Sequence, residues 1–373
     1  MSRPLAYAPE NALNAICPYF TMFPLEYPLR VLKEHRNKRS VVMDPFCGRG
    51  TTLFAARKLG LESRGIDSSA VAVAIAKAKL AKVDVEQVLS LARTFIARHS
   101  RVSVPTTDFF RQAYHKDVLP AICAIRKGLL STTAESDDIV VLRAAMLGCL
   151  HGPVNKVPDK RSYFSNQMPR TFAAKPAYAV KFWKERELRA PKVDVLSVLR
   201  HKLDRLSSFE LGESKTSRAR LGDSRYARSL PTSFRDFSVV VTSPPYYGMR
   251  TYVQDQWLRA WFLGGSEEVN YINEEQLQHT GTDVFAESLG QVWRNMARTT
   301  ADSLDMYVRF GIIPSSKVDA KALVRSSLEH SGVKWNEVSV RAASTASSGK
   351  RQADHMAAVS AAALEYDFHV RRA

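Results

Sequence analysis

Apolar positions change period several times along the chain, and each change marks an element. Residues 39–44 (Arg-Ser-Val-Val-Met-Asp) form a short apolar run suited to a strand. Residues 51–59 repeat their apolar side chains at helical spacing, and residues 63–67 (Ser-Arg-Gly-Ile-Asp) close the unit as a second strand. The spacing predicts an Ala- and Val-rich helix over 69–82, then helices over 85–98, 108–130, 137–150 and 193–206. Strand-like runs resume at 219–223 and 237–242. The last third alternates again, with helices over 284–300 and 320–330 and strands over 305–310, 337–342 and 365–370. Such alternation predicts an α/β fold: an open, mostly parallel sheet covered by helices on both faces, with ligand at the carboxyl ends of the strands. The stretch between the second and third strands is too long for a loop. It divides the chain into a sheet domain over 1–83 and 216–373 and a large helical insert over 84–215.

Composition sharpens this picture in two ways. At 373 residues, 45% hydrophobic, the chain can bury one large core with an appendage, or two modest domains. Lys and Arg number 54 against 37 acidic residues, a formal charge of +17, which suits a polyphosphate partner while leaving other acidic partners open. Much of that excess falls in 151–190, where Lys156, Lys160, Arg161, Arg170, Lys181 and Lys184 alternate with Tyr163, Phe164, Phe172, Phe182 and Trp183. No apolar run reaches the roughly 18 residues of a membrane helix, and the N-terminus lacks a signal-peptide layout, so a cytoplasmic protein with no membrane partner is expected. Cys17, Cys47, Cys123 and Cys149 form no CxxC pair and join no histidine cluster; they read as reduced and structural, with no metal site.

Two short stretches carry candidate chemistry. Phe46-Cys47-Gly48-Arg49-Gly50-Thr51-Thr52 stands between a strand and a helix, where missing side chains let backbone N–H groups approach a ligand. A tight strand-to-helix turn is the alternative. Its spacing is neither GxGxxG nor GxxxxGK[ST], which argues against NAD and ATP. Asp67, ending the next strand, can accept hydrogen bonds from two ribose hydroxyls or can cap the helix behind Ser68. Downstream, two prolines in Thr242-Ser243-Pro244-Pro245-Tyr246-Tyr247-Gly248 stiffen the loop and set the Ser243 hydroxyl and the Pro244 carbonyl as a pair of acceptors able to grip an amino group. A strand-ending turn would need the same prolines.

Taken together, Asp44-Pro45-Phe46-x-Gly48-x-Gly50-Thr51-Thr52, the acidic strand end at Asp67 and Ser243-Pro244-Pro245-Tyr246 resemble the S-adenosylmethionine-dependent amino-group DNA methyltransferases, especially their cytosine-N4 branch. Upstream, Phe23-Pro24 within residues 22–28 looks like that family's Phe-Pro-x-x-x-Pro element, which packs near the methionine end of the cofactor. Gly222-Asp223-Ser224-Arg225 looks like the element whose acidic residue reaches the adenine. The resemblance implies a Rossmann-like class I methyltransferase sheet with S-adenosyl-L-methionine held by Phe23, Pro24, Asp44, Pro45, Phe46, Cys47, Gly48, Gly50, Thr51, Thr52, Asp67, Ser68, Asp223 and Ser224. It makes Ser243, Pro244, Pro245 and Tyr246 the catalytic loop.

In that reading Ser243 and Pro244 bind the amino group, and Tyr246 stacks on a base flipped from the duplex. Pro-Pro cannot form a nucleophile elbow, and no Pro-Cys supports cytosine-C5 chemistry. Serine at the head of the loop tilts the choice toward cytosine N4 and leaves adenine N6 open. Target recognition is expected in the insert: Lys160, Arg161, Asn166, Gln167 and Arg170, with Tyr247 and Arg250 beside the catalytic loop, are candidate contacts to double-stranded DNA. Tyr252, Asp255, Trp257 and Arg259 would shape or buttress the base pocket, and Arg351-Gln352 is a further candidate contact. The implied role is site-specific methylation in a restriction-modification or defence system, in the nucleoid and with a cognate endonuclease as partner. An RNA amino-group methyltransferase and a non-catalytic DNA-binding subunit are the other readings.

Overall fold

The computed structural model describes residues 9–19, 24–36, 40–152, 161–168, 173–207, 212, 216–234, 236–248, 255–269, 281–298, 303–312, 318–343 and 365–373. Seven strands form one sheet: β1 (Val42–Asp44), β2 (Ser63–Asp67), β3 (Arg218–Leu221), β4 (Val239–Thr242), β5 (Asp305–Gly311), β6 (Trp335–Ala342) and β7 (Glu365–Arg372). Their order is β3-β2-β1-β4-β5-β7-β6, parallel throughout except for β7, which runs antiparallel between β5 and β6. Strand order reverses beside β1, which pairs with β2 on one side and β4 on the other; this opens a crevice at the carboxyl ends of β1 and β4. This is the expected Rossmann-like, mostly parallel sheet.

Alternate side chains of each strand enter opposite cores, as a pleated strand covered on both faces requires. Val239 and Val241 of β4 face one core, with Val42. Val240 faces the other, with Met43 and Met306. The first face is covered by α1 (Glu26–Lys33), α2 (Thr51–Lys58) and α3 (Ala70–Leu80). The second is covered by α11 (Thr282–Arg298) and α12 (Ala320–His330), whose apolar stripes meet along Leu289, Trp293, Val324 and Leu328.

Between α3 and β3 the chain forms α4 (Val85–Arg98), α5 (Asp108–Ala113), α6 (Leu119–Leu130), α7 (Asp137–Cys149), α8 (Pro176–Glu185) and α9 (Val195–Leu206). Their buried side chains share one continuous core with α1, α2 and the first sheet face, running from Leu13 through Val141 and Leu199 to Phe262. These helices thus pack onto the first face of the sheet. One further short helix, α10 (Trp257–Phe262), follows the loop after β4 and enters the same core through Trp257, Leu258 and Trp261.

Residues 108–130, expected as one helix, are two. Pro120 near the start of α6 has no N–H to donate, and its ring crowds the carbonyl four residues earlier, so the helix restarts at Leu119 after a turn at His115–Val118. All four cysteines are buried and free, as expected. No helix among the described residues is long and apolar enough to cross a membrane.

Candidate active site

Asp44 ends β1 and is 1% exposed. Its Oδ1 accepts the Thr242 hydroxyl at 2.7 Å and the Phe46 N–H at 3.1 Å, while Oδ2 is buried without a partner. Burial pushes its pKa up to about 6, against the lowering effect of the Thr242 hydroxyl. The glycine loop then turns on two left-handed residues. Gly50 (φ 77°) starts α2, and a Cβ there would come within 2.9 Å of the Ala76 backbone. Gly48 (φ 49°) differs: a Cβ there would meet nothing within 4 Å. One glycine is required by close packing against α3, while the other faces open space where a ligand can lie against bare backbone.

Asp67 ends β2 and fastens this loop from the side. Its Oδ2 accepts the Gly48 N–H at 2.8 Å and its Oδ1 accepts the Ser69 N–H at 2.8 Å; burial raises its pKa. A carboxylate has about four acceptor sites, so each oxygen keeps one for a hydroxyl. The cap of α3 is supplied by Ser69, whose hydroxyl accepts the Ala72 N–H, leaving Ser68 half-buried ahead of it. Cys47 lies inward, buried, and burial drives its thiol well above the ordinary range. Thr52 is also fully buried and donates to the Val241 carbonyl at 3.2 Å; Thr51 is buried with its hydroxyl unpartnered. Both are packing groups of α2 in this state.

From the far side, Ser224 is buried and donates to the Pro45 carbonyl at 2.8 Å. Asp223, expected to face a ligand, is engaged with Arg225: its carboxylate accepts the Arg225 N–H at 2.9 Å and the guanidinium at 2.6 and 2.9 Å. The Arg225 and Arg228 guanidiniums lie 5.7 and 4.6 Å from the Tyr226 ring centre, and that ring is 46% exposed.

Ser243 follows β4 directly and is half-buried; Pro244 is buried, and Pro245 and Tyr246 are half-buried. The Tyr246 hydroxyl donates to Glu365 Oε1 of β7 at 2.8 Å, and its ring stands edge-on to Phe310. Tyr247 bridges in parallel to Ile312 and packs edge-on against Phe285, which makes it a wall of the second core. The Thr242–Asp44 and Thr52–Val241 bonds therefore bring both sequence motifs to adjacent carboxyl ends of β1 and β4.

Sequence reasoning missed two supporting residues. Glu365 lies 119 positions from Tyr246, with no local pattern to mark it. Asn295 is buried on α11 and donates to the carbonyls of Ser224 at 3.0 Å and Arg225 at 2.8 Å. A polar side chain on the apolar stripe of α11 was its one sign.

In the insert, Asn166 differs from its expected base-edge position. It is 4% exposed, both amide N–H groups are used on the carbonyls of Gln112 and Leu188, and Oδ1 accepts the Gln167 N–H. Burial made it a clamp between chain segments. Arg161 is exposed and Gln167 half-buried. Trp183 belongs to the core and donates to the Gln167 carbonyl at 2.7 Å. Trp257 and Arg259 are buttresses: their side chains donate to the carbonyls of Ala174 and Leu147, tying α10 to the insert. Phe23, Lys160, Arg170, Arg250, Tyr252, Arg351 and Gln352 lie outside the described residues. Among the described residues, no group of His, Cys, Asp or Glu could hold a metal ion.

Residues 5–78, which contain the glycine loop and Asp67, match a family model described as DNA methylase. The Type II methyltransferase M.MjaII of Methanocaldococcus jannaschii is 37% identical over 75 residues. That match spans 20% of this chain and 14% of the length of that relative. Two solved structures of the rRNA methyltransferase aviRa from Streptomyces viridochromogenes are similar at 15% and 14% identity, with TM-scores of 0.34 and 0.36. They cover 95% and 99% of this chain and 87% and 94% of those chains. The N-terminal segment is thus similar to DNA methylases, a family that uses S-adenosyl-L-methionine.

Proposed function

We propose that the protein is an S-adenosylmethionine-dependent DNA methyltransferase that modifies an exocyclic amino group, with cytosine N4 as the acceptor. The observation that supports this reading is the 2.7 Å bond from Thr242 to Asp44, which ties the strand leading into the Ser-Pro-Pro-Tyr loop to the strand leading into the glycine loop. When bound, the cofactor supplies an electrophilic methyl group on a sulfonium. Gly48 gives it bare backbone to lie against, and the remaining acceptor sites of Asp67 suit its ribose hydroxyls.

The amino group of a nucleobase is a poor nucleophile because its lone pair is delocalised into the ring. Two acceptors from this chain, the Ser243 hydroxyl oxygen and the Pro244 carbonyl, bind its two hydrogens and favour a pyramidal nitrogen with its lone pair directed at the methyl group. No covalent enzyme intermediate is required. Tyr246, its hydroxyl held by Glu365, offers a ring to a base extruded from the duplex. Serine at position 243 favours cytosine over adenine, and the basic insert supplies target recognition. A restriction-modification or defence role, with a cognate endonuclease as partner, accords with this activity.

Incubating the purified protein with labelled cofactor and DNA from a host lacking the gene tests the proposal, with mass spectrometry of the nucleosides as readout. N4-methylcytosine is the expected product. N6-methyladenine would overturn the base assignment, and label in RNA but not in DNA would overturn the substrate. Ser243→Ala should retain cofactor binding and lose most turnover.

A further inference from the structure

Residues 161–167 turn back against the segment that follows α8, and between them lies a cleft of about 240 Å³. Gly152, Arg161, Tyr163, Ser165, Gln167 and Arg189 form much of its lining, and among the described residues no carboxylate contributes to it. Arg161 and Arg189 are both exposed, on chain segments that the buried Asn166 holds together through its bonds to the carbonyls of Gln112 and Leu188. The Tyr163 ring lies directly over Gly152, where a Cβ would come within 2.2 Å of it. Behind Tyr163, the charges of Arg205 and Arg259 act on its hydroxyl, and His151, 1% exposed with both ring nitrogens unpartnered, is held neutral by burial and by the charge of Arg259.

This lining selects a ligand class. The volume is below the range of about 300–1,000 Å³ that encloses a drug-sized ligand, so the cleft is too small for the whole cofactor. It also shares no residue with the glycine loop or with Ser243–Tyr246. Two guanidiniums, hydroxyls and an amide around a space that no described carboxylate lines match one phosphodiester, which accepts several charge-assisted hydrogen bonds and offsets the crowding of like charges.

We propose that this cleft clamps one backbone phosphate of the DNA substrate between Arg161 and Arg189 and so sets the register of the insert on the duplex. The proposal rests on the reading that DNA is the substrate. It divides labour within the insert: Asn166 builds the frame, the two arginines hold the phosphate, and Gln167 is the polar side chain beside it.

Binding of a fluorescein-labelled duplex to the full chain, followed by anisotropy from 50 to 200 mM salt, reads the contact directly. For Arg161→Gln/Arg189→Gln, the slope of log K against log salt should fall in magnitude by roughly 0.9, the value for one lost phosphate contact. Cofactor binding by calorimetry should be unchanged, which reports a folded protein. Gly152→Ala, which drives the Tyr163 ring off its seat with both arginines retained, should reproduce the loss. A wild-type protein that binds duplex with a slope the double variant does not alter would overturn the clamp. Failure of the wild-type protein to bind duplex would instead overturn the DNA reading beneath it. Weakened binding of single-stranded RNA with unaltered duplex binding would assign the cleft to RNA and refute the proposal.

Discussion

Thr242 and Asp44 meet across 2.7 Å at the ends of two adjacent parallel strands, a bond between residues 198 positions apart. One oxygen of Asp44 holds the end of β4, and the other is buried without a partner, so the carboxylate carries a burial penalty whenever it is ionised.

That penalty gives stability a pH dependence of definite sign. With a pKa of about 6 in the folded chain against about 3.9 unfolded, native Asp44 keeps a proton that the unfolded chain has released over that window. Stability therefore falls as pH rises from about 4 to about 6 and levels off above, by an amount on the order of 3 kcal/mol. Asp44→Asn keeps an acceptor for Thr242 and removes the titration. Urea unfolding of both proteins from pH 4 to 8 should show the variant gaining on the wild type through that window; parallel curves would refute the assignment.

The two loop glycines should fail in different ways. Each substitution by alanine carries roughly 1–2 kcal/mol of left-handed strain. Gly50→Ala adds a clash with the Ala76 backbone and should lower the melting temperature substantially. Gly48→Ala should remain folded, because its Cβ projects into open space, yet lose most affinity for S-adenosylmethionine in calorimetry. Normal cofactor affinity in folded Gly48→Ala would show that the ligand does not use this face.

Glu365 should matter to turnover through Tyr246. Removing its acceptor in Glu365→Ala frees the ring to rotate, and a bond to a charged group contributes about 1.5–3 kcal/mol. A ten-fold or greater drop in kcat with unchanged cofactor affinity is the expected result, with Glu365→Gln recovering part of it. Equal loss in Gln and Ala variants would show that charge, rather than the hydrogen bond, is what position 365 supplies.

Asn295→Ala removes the donors that α11 offers to the Ser224 and Arg225 carbonyls, buried groups whose loss of a partner costs about 1–3 kcal/mol each. Because Ser224 in turn supports the Pro45 carbonyl, the variant should be destabilised and should bind cofactor less tightly. A drop in melting temperature without any change in cofactor affinity would separate the two effects and break the proposed chain of support.

Much of the scaffold was legible because its boundaries are chemical. The strand at 63–67 and the helices over 85–98 and 320–330 have the limits that their apolar spacing predicts, and in the structure Asp84 and Asp319 cap the two helices with side-chain oxygens. Helix α8 escaped notice because only Ala179 and Trp183 of its ten residues are buried, too few to print a period on a basic segment. Helix α10 has six residues, less than two turns. Within the candidate site, glycines and prolines announced themselves through backbone geometry, whereas Asn166 and Glu365 depended on neighbours far along the chain. A carboxylate that binds an adjacent guanidinium and one that faces a ligand look alike in sequence.

The place of the insert also dictates an order of events when the chain first folds. Strands β1 and β2 pair through Val42 and Ser63, 21 positions apart (63 − 42), whereas Ser63 meets Ser217 across 154 positions. Closing the longer loop from a flexible chain costs roughly 2 kcal/mol more, about three doublings of length. Condensation of α4 to α9 onto the first sheet face would shorten that search by delivering residue 216 to the sheet edge. Until then β2 is an unpaired, sticky margin of the growing sheet. A destabilised core among α4 to α9 would therefore show itself first as aggregation during refolding, before any loss in the folded protein.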